Sequence, residues 1–374
     1  MDLTTAEYLR YARHLALPNV GVAGQLLLKA ARVLVVGTGG LGSPVALYLA
    51  AAGVGTLGVA DDDVVDVSNL QRQILHTTSD VGVPKVHSAY QHLRALNPEI
   101  TVVPHALRVD ADTVLALIAD YDIVVDATDS FATRYVLNDA CVRLHKTLVS
   151  GAIFRFEGQV SVYAPHMGGP CYRCLFPTPP SAELAPNCAE AGVFGVLPGV
   201  VGSVQASEVV KLILGIGTPL LGTLWLYDAL SQNIDRFQTS RNPTCICCGD
   251  TPTLATIGLE DDTACAVPSE SEEQSVHTIQ LRLQQLPRPF VLDVREPHEY
   301  DAGHLPGAVR IGVDSLAQTL AAIPTDTDII VYCRSGMRSA RARDMLVRSG
   351  RTAVSMRGGL LAWRNLLDPD MTVV

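Results

Sequence analysis

Residues 32–61 read RVLVVGTGGLGSPVALYLAAAGVGTLGVAD and contain a strand, a glycine-rich turn, a helix and a second strand in immediate succession. The turn at 37–42, GTGGLG, satisfies G-x-G-x-x-G, and Asp61 ends the second strand. Glycines there let the backbone approach a phosphate at a helix N-terminus, and the carboxylate can accept hydrogen bonds from ribose hydroxyls. The segment predicts a nucleotide site, with a dinucleotide as the default ligand. Alternatively, the turn serves only the tight packing of a helix on a strand.

Short β-branched apolar segments alternate with helix-like segments before residue 250. The predicted strands are RVLVV at 32–36, TLGVA at 56–60, DIVVD at 122–126 and TLVS at 147–150. Alternation at this length indicates βαβ units and a mostly parallel sheet. This part of the chain is therefore predicted to be α/β, with a Rossmann-like sheet.

A second, smaller α/β unit is predicted near the C-terminus. FVLDV at 290–294 and DIIVYC at 328–333 are typical of strands, and residues 338–348 have the apolar spacing of a following helix. Between the units, residues 251–275 combine prolines with acidic runs that cannot bury enough surface to form a core. We therefore expect three parts, which are a first domain over 1–250, an acidic flexible linker over 251–275 and a second domain over 276–374.

Length and composition exclude several classes of protein. At about 100–200 residues per domain, the 374 residues should form two or three units. The formal charge of −10 argues against nucleic acid as a direct ligand. No apolar run reaches the ~20 residues that span a bilayer, and residues 1–10 are unlike a secretory leader, so a soluble cytoplasmic protein is expected. Nine cysteines, an odd number, favour metal ligation or thiol chemistry over a disulfide framework.

Charged residues that follow the glycine-rich turn favour a triphosphate over a dinucleotide. Arg72 lies in SNLQRQ at 68–73, Lys85 comes next, and Asp129 lies in DATDS at 126–130. A dehydrogenase that binds pyrophosphate through backbone amides has no evident need for two added cations and a second carboxylate. In an ATP site the cations would stabilise charge developing on the phosphates, and Asp129 would hold Mg²⁺. Taken singly, each cation could instead be a solvated surface charge.

Many separate motifs occur in one order along the first 250 residues. After the glycine-rich turn come Asp61, SNLQRQ, Lys85, DATDS, SGAIFRFEGQ, CYRC, NCAEAGV and NPTCICCG. Together they resemble the adenylating enzymes of the molybdopterin-synthase and thiamine sulfur-carrier type, which are relatives of ubiquitin-activating enzymes. The resemblance covers roughly residues 5–249 and implies an ATP-binding adenylating domain.

The resemblance also implies the residues of the ATP site. The positions that match the family's ATP contacts and the SNLQRQ motif are Gly40, Asp61, Ser68, Asn69, Leu70, Gln71, Arg72, Lys85, Asp129 and Ser130. Arg13, in RYARH, matches an arginine that the family supplies to the site of the other subunit, which implies a homodimer. The family commonly has Asn where this chain has Ser130.

Two C-x-x-C pairs, in PCYRC at 170–174 and PTCICCG at 243–249, could form a metal site. Four thiolates give the closed tetrahedral shell that structural Zn²⁺ prefers, although the gap between the pairs exceeds that of the usual zinc ribbon. In the resembling family these pairs bind zinc, which implies that the ligands are Cys171, Cys174, Cys245 and Cys248. Cys247 is an alternative to Cys248, and a redox dithiol is the rival interpretation.

Cys188 follows the proline-rich segment 177–180 and is expected on a loop, although a buried cysteine is the alternative. In the resembling enzymes a cysteine at this position has been assigned to a thioester or acyl-disulfide step. The resemblance therefore makes Cys188 a candidate catalytic residue.

Cys333 begins CRSGMRS at 333–339, which leads from the second C-terminal strand into a helix. Backbone amides and the positive helix end at such a loop favour a thiolate or persulfide anion, and Arg338 would strengthen that field. Together with LDVREPHEYDAGHLPGAVRI at 292–311 and RGGLLAW at 357–363, this loop resembles a single-domain rhodanese. The resemblance implies a sulfurtransferase in which Cys333 carries sulfane sulfur. Dual-specificity phosphatases also place Arg after Cys, but with five intervening residues, whereas four lie between Cys333 and Arg338 here.

Charged residues elsewhere in the second domain have structural interpretations. Asp293, Arg295 and Glu296 are expected to form an ion-pair network at the end of a strand, and His304 is expected to fix a turn. No metal is assigned to histidine, including His14 and His76.

Two such domains would catalyse consecutive steps. The first would adenylate the C-terminal glycine of a ubiquitin-like sulfur-carrier protein ending in Gly-Gly, and a Cys333 persulfide, loaded from thiosulfate or a cysteine desulfurase, would convert it to a thiocarboxylate. The alternatives are an NAD-dependent oxidoreductase fused to a sulfurtransferase, a non-catalytic binder of a ubiquitin-like partner, and protein conjugation through Cys188. The sulfur could be received by molybdenum cofactor, thiamine, cysteine, tRNA thiolation or a specialised metabolite.

Overall fold

The computed structural model describes residues 2–179, 192–258 and 273–373. They belong to two compact units, Met1–Asp262 and Thr263–Val374. Cys188 lies outside the described residues, as does most of the predicted linker, residues 259–272.

The first unit is built on an eight-stranded sheet. Its strands are β1 Arg32–Val36, β2 Thr56–Ala60, β3 Thr101–His105, β4 Ile123–Asp126, β5 Thr147–Phe154, β6 Glu157–Tyr163, β7 Thr223–Asp228 and β8 Asn233–Gln238. The spatial order is β3-β2-β1-β4-β5-β6-β7-β8. The five strands from β3 to β5 pair in parallel, whereas β6, β7 and β8 add in antiparallel pairs. The predicted parallel α/β sheet is therefore confirmed, and its antiparallel extension is an addition to it.

Helices flank this sheet. They are α1 Thr5–Arg10, α2 Ala12–Leu15, α3 Gly21–Ala30, α4 Gly42–Ala52, α5 Lys85–Leu96, α6 Val114–Ala119, α7 Phe131–Arg143, α8 Tyr172–Leu175 and α9 Leu197–Leu214. Strand β1 is buried over its last four residues, and α4 is apolar on most of its surface, as expected for elements covered by a second layer.

Helix α9 alone, among the described residues, is long and apolar enough to span a membrane by length and composition. In the structure it packs on α4, where a side chain on Gly202 would overlap Pro44 and the carbonyl oxygen of Leu41. Its polar Gln205 is fully buried and donates hydrogen bonds to the carbonyls of Asp126 and Val149 at 2.8 and 3.3 Å. These contacts make α9 part of the core of the first unit.

The second unit is a five-stranded parallel sheet with helices. Its strands are β9 Glu273–Gln274, β10 Phe290–Asp293, β11 Val309–Arg310, β12 Ile329–Tyr332 and β13 Ala353–Met356, in the order β11-β10-β12-β13-β9. Its helices are α10 Val276–Leu283, α11 Pro297–Ala302, α12 Leu316–Thr319, α13 Met337–Arg348 and α14 Gly359–Leu366. The central β12 is entirely buried, so it holds the residue that follows it in a fixed position.

Candidate nucleotide, zinc and persulfide sites

The glycine-rich turn joins β1 to α4 through two close backbone contacts. Gly37 has a φ of +88°, and a Cβ there would lie 2.8 Å from the carbonyl oxygen of Ala127. A Cβ on Gly42 would overlap the carbonyl oxygen of Gly37. Only glycine fits both positions, because one has a left-handed backbone and the other leaves no room for a side chain. The turn therefore packs tightly and also lies at the carboxyl edge of the parallel strands, where ligands bind in sheets of this kind.

Asp61 fastens the glycine-rich turn to the neighbouring strand. Its Oδ2 accepts hydrogen bonds from the Thr38 backbone N–H at 2.8 Å and from Thr38 Oγ1 at 3.0 Å. Its Oδ1 accepts one from the Asp63 N–H at 3.0 Å. The carboxylate predicted to contact ribose thus also sets the position of the turn.

The SNLQRQ motif folds beside the turn as a short 3₁₀ segment capped by Asp66, whose Oδ1 accepts from the Ser68 N–H and hydroxyl. Asn69 accepts a 2.8 Å hydrogen bond from Gln73, whose amide group would lie 3.5 Å from a Cβ on Gly39. A Cβ on Gly40 would lie 3.6 Å from Arg72 Cγ. The motif therefore contacts the turn directly.

The remaining residues of this motif have different environments. Arg72 Nη1 donates to the Ser68 carbonyl at 3.3 Å. Leu70 is half-buried, and Gln71 is exposed overall but packs closely against Gly195. Only part of the motif therefore lies against the glycine-rich turn.

Lys85 begins α5 and is buried, with its ammonium 2.8 Å from Asp63 Oδ2. Asp63 is largely exposed and lies beside Asp61 and Asp62. One carboxylate oxygen from each of these three residues lies within 4.8 Å of the other two. A buried ammonium needs a nearby anion, and Asp63 supplies it. A cation is thus held at the edge of the sheet where the glycine-rich turn lies.

The DATDS turn lies between β4 and α7 and is organised by Asp126, which the sequence analysis did not single out. Its Oδ1 accepts from the backbone and hydroxyl of Thr128 at 3.1 and 2.8 Å, and its Oδ2 accepts from Arg134 Nε at 2.9 Å. Asp126 and Arg134 are both buried, and the carboxylate keeps the pKa of that guanidinium raised although burial opposes its charge. Asp129 itself is exposed, and Ser130 caps α7 by accepting from the Thr133 N–H at 3.3 Å.

Arg13 lies on α2 and is exposed. The structure contains one chain and therefore does not bring it to a nucleotide site.

Four cysteine thiols form a cluster in the first unit. Their Sγ atoms all lie within 4.8 Å of one another and belong to Cys171, Cys174, Cys245 and Cys248. The 171–174, 171–245 and 174–248 sulfur separations are 3.8, 3.6 and 3.4 Å. Cys174 also accepts a 3.4 Å hydrogen bond from the backbone N–H of Asn242.

The electrostatics of this cluster fit a bound cation. Hydrogen bonds from Cys171 and Cys248 lower the pKa of the Cys174 thiol. The hydrogen bond with Cys174 raises the pKa of Cys171, and those with Cys171 and Cys174 raise the pKa of Cys248. Ionisation of one thiol therefore opposes ionisation of the next. A divalent cation would remove that conflict, and the all-sulfur donor set that the described residues provide suits structural Zn²⁺.

Cys247 is buried beside this cluster but has other partners. Its thiol donates to Asp139 Oδ1 at 3.5 Å, and Asn138 Nδ2 donates to its sulfur at 3.7 Å. Asp139 in turn forms a two-point ion pair with Arg173 at 2.7 and 2.8 Å. Of the two adjacent cysteines, Cys248 is the one whose sulfur joins the cluster.

The second unit forms a cradle around Cys333, whose side chain is fully buried directly after β12. The Gly336 N–H donates to Cys333 Sγ at 3.2 Å, and Gly336 has a φ of +104° where α13 begins. The carbonyls of Cys333 and Arg334 accept from the Leu360 and Leu361 N–H groups at 2.9 and 3.0 Å. Because a trans peptide directs its N–H opposite to its C=O, the following amides point away from α14. Amides that converge on sulfur stabilise a sulfur anion.

Three features hold this cradle in shape. A Cβ on Gly359 would lie 2.6 Å from the carbonyl oxygen of Arg334, so the RGG turn must be glycine there. Ser339 is buried and donates to the Gly336 carbonyl at 2.9 Å. Arg338, expected to add charge to the field at Cys333, forms a two-point ion pair with Glu299. The ion pair therefore also joins α13 to α11 beside the cradle.

The predicted ion pairing is confirmed for Asp293 and Arg295, and the predicted role of His304 in fixing its turn is also confirmed. Asp293 and Arg295 form a fully buried ion pair at 2.7 Å. His304 stacks on Tyr300 and contacts its carbonyl at 3.0 Å. Glu296 instead caps α11 by a reciprocal capping box with Glu299.

Comparison with known families gives a match to each unit. The model of the ThiF family matches residues 11–247, and that of the rhodanese-like domain matches residues 276–366. The two matched domains define an adenylyltransferase joined to a sulfurtransferase. The chain belongs to the ThiF family and carries a C-terminal rhodanese-like domain.

Relatives and solved structures agree with this assignment. The chain is 42% identical over 384 residues to a probable adenylyltransferase/sulfurtransferase, MoeZ, of Mycobacterium tuberculosis, covering 99% of this chain and 96% of the relative. It is 54% identical over 257 residues to a sulfur carrier protein adenylyltransferase of Thermus thermophilus, covering 68% and 95%. A crystal structure of E. coli MccB with ATP superposes with a TM-score of 0.58 at 26% identity, covering 66% of this chain and 75% of that one.

Proposed function

We propose that the chain uses ATP to adenylate the C-terminal glycine of a ubiquitin-like sulfur-carrier protein and then transfers sulfur to it from a persulfide on Cys333. The main support for an ATP site is the set of charged segments around the glycine-rich turn. Arg72 lies beside Gly40, and Lys85 is buried beside Asp63 at the same edge of the sheet. A nicotinamide site has no evident use for these cations, whereas a triphosphate needs them to stabilise its negative charge.

In the adenylation step the ionised carboxylate of the carrier attacks the α-phosphorus of ATP, and the bond to pyrophosphate breaks. The chain contributes position and charge rather than a general base, since a C-terminal carboxylate is already ionised at neutral pH. We assign nucleotide binding to Gly40, Asp61, the motif residues 68–72, Lys85, Asp129 and Ser130. Arg72 and Lys85 would stabilise the charge that develops on the departing phosphates.

Two metal ions belong to this proposal. Asp129 is exposed at the carboxyl edge and offers the oxygen ligand that Mg²⁺ prefers, so Mg²⁺ held there with the phosphates would neutralise their charge. The four clustered cysteines would hold Zn²⁺ as a structural ion that ties the segment around residue 172 to the segment around residue 246.

In the sulfur step the terminal sulfur of the Cys333 persulfide attacks the carrier's acyl carbon, and AMP leaves. The product is an acyl disulfide between carrier and Cys333. A second thiolate then attacks the Cys333 sulfur, which releases the carrier thiocarboxylate and leaves a disulfide for an external dithiol to reduce. Cys188 is our candidate for that thiolate, and Arg338 supports the cradle in which the persulfide forms.

Three further features complete the proposal. Arg13 is exposed on α2, which allows it to serve the nucleotide site of a second subunit in a homodimer. An acidic linker between the two domains would raise the effective concentration of Cys333 at the acyl adenylate to about millimolar. Thiosulfate or a cysteine desulfurase would load the sulfur, and the free thiols suit the reducing cytoplasm.

Carrier-dependent exchange of labelled pyrophosphate into ATP tests the adenylation step against its rivals. We expect exchange that requires Mg²⁺ and the carrier's terminal glycine. Binding of NAD without exchange would instead support the oxidoreductase, and binding of the carrier without exchange would support a non-catalytic partner. Carrier found in a thioester on Cys188 would support protein conjugation.

A further inference from the structure

His76 lies between the SNLQRQ motif and α5 and is buried, with 5% of its surface exposed. Its Nε2 lies 2.9 Å from the carbonyl oxygen of Thr38 in the glycine-rich turn. Its Nδ1 lies 2.8 Å from Ser88 Oγ, on the helix that begins with Lys85. One imidazole thus contacts both segments on which the proposed phosphate contacts are built.

The Thr38 carbonyl fixes the position of one proton on this ring. A carbonyl oxygen can only accept, so Nε2 carries the proton and donates to Thr38. At Nδ1 the ring contacts the Ser88 hydroxyl, which also hydrogen-bonds the Asp80 carboxylate. Burial, joined by the nearby Lys85 ammonium, lowers the pKa of His76 below its ordinary value of 6.5, although the hydrogen bond to the Thr38 carbonyl and the charges of Asp61 and Asp80 act in the opposite direction. The neutral form is therefore the one present at pH 7.

Thr38 is held from two sides as a result. Its N–H and hydroxyl donate to Asp61, and its C=O accepts from His76. Because the Thr38–Gly39 peptide is planar and trans, a carbonyl directed at the buried ring directs the Gly39 N–H away from it. The same peptide in the flipped orientation would present an oxygen instead, and an oxygen repels phosphate.

We propose that His76 is a positioning residue of the nucleotide site, which holds the Thr38 carbonyl in the protein interior so that the Gly39 amide faces the phosphates. This inference rests on the proposed adenylation. His76 does not touch the nucleotide in this account, and it acts through the orientation of one peptide. The side chain also fixes the distance between the glycine-rich turn and the helix that carries Lys85.

Four variants of the full chain test the inference. His76→Ala removes both hydrogen bonds, whereas His76→Gln can place an amide N–H near the position of Nε2. Ser88→Ala removes the hydroxyl that orients the ring. The control is His87→Ala, since His87 is the exposed neighbour of Ser88 on the same helix. For each we would measure KM for ATP and for the carrier in pyrophosphate exchange, together with thiosulfate:cyanide sulfur transfer in the same preparation.

We expect His76→Ala to raise KM for ATP about tenfold and to leave KM for the carrier within about twofold. His76→Gln should recover most of that loss, Ser88→Ala should raise KM for ATP about threefold, and His87→Ala should change neither constant. Thiosulfate:cyanide transfer should stay unchanged in all four.

An unchanged KM for ATP in His76→Ala would overturn the inference, as would a His76→Gln variant no better than Ala. If His76→Ala does not fold, an unchanged KM for ATP in Ser88→Ala overturns it. Absence of ATP binding by the wild-type chain would instead refute the proposed function itself.

Discussion

Arg338 and Glu299 face each other fork to fork, with Nη1–Oε2 and Nη2–Oε1 distances of 2.6 and 2.7 Å. Both side chains are largely buried, with 19% and 8% of their surfaces exposed. Glu299 also accepts the Glu296 N–H at 2.9 Å, so the pair ties the helix after the Cys333 cradle to α11. Glu299 thus balances charge on Arg338, while the Gly336 N–H donates to Cys333 Sγ at 3.2 Å.

Glu299→Gln should lower the free energy of unfolding of the second domain by about 2 kcal/mol at pH 7. Burial alone would raise the pKa of Glu299, but hydrogen bonds from Arg338 and the Glu296 N–H lower it below the ordinary value of 4.5. The stabilisation is therefore present above pH 4.5 and is lost as the pH falls through the lower folded pKa. Urea unfolding, followed by loss of thiosulfate:cyanide transfer, measures the difference between wild type and variant.

The matched control is Asp314→Asn, which removes an exposed carboxylate 3.9 Å from Arg341. Arg341 lies on the same helix as Arg338. Exposed pairs contribute little, so its unfolding curve should match the wild type at every pH. An equal loss in both variants would contradict the role given to the buried pair.

Cys333→Ala should abolish the transfer of sulfur while leaving carrier-dependent pyrophosphate exchange intact, because the persulfide acts only after the acyl adenylate has formed. Cys141→Ala is the matched control, since Cys141 is buried in the first unit and burial raises the pKa of its thiol. Labelled sulfur on the carrier measures the transfer. Loss of exchange in Cys333→Ala would contradict the separation of the two steps.

Asp129→Asn should lower pyrophosphate exchange by at least about a hundredfold and leave thiosulfate:cyanide transfer unchanged, since a neutral amide holds Mg²⁺ poorly. Asp112→Asn, an exposed residue in another loop, should leave both activities unchanged. Exchange by Asp129→Asn at the wild-type rate would remove that residue from the proposed site.

Cys248→Ser should release bound Zn²⁺ and destabilise the first domain, whereas Cys247→Ser should keep the metal. The Cys248 sulfur lies 3.4 Å from that of Cys174, while the Cys247 thiol is directed at Asp139. Elemental analysis of both purified variants checks the difference. Zinc retained by Cys248→Ser and lost by Cys247→Ser would reverse the ligand assignment.

The sequence identifies the parallel part of the fold well, because its strands are short apolar runs next to motifs of fixed geometry. The predicted strand at 32–36 is β1, and that at 56–60 is β2. The antiparallel strands β6 to β8 are harder to predict. Strand β8 is exposed along its whole length, so no apolar pattern marks it.

The residues that sequence analysis missed act through tertiary contacts. Asp126 was part of a quoted motif, but its pairing with Arg134 becomes evident only when α7 packs beside β4. His76 has no motif of its own and gains its role from Thr38, which is 38 residues away. The sequence predicted that Arg338 adds charge near Cys333, but it did not predict the ion pair with Glu299, because the two residues are 39 positions apart. Spacing along the chain cannot report such pairs.

The central claim is tested most directly by the intact mass of a ubiquitin-like carrier after incubation with the chain, ATP, Mg²⁺, thiosulfate and a dithiol. The account predicts the mass gain of one oxygen replaced by one sulfur, and predicts that omitting ATP or using Cys333→Ala abolishes it. Formation of the thiocarboxylate without ATP, or at the wild-type rate by Cys333→Ala, would contradict it.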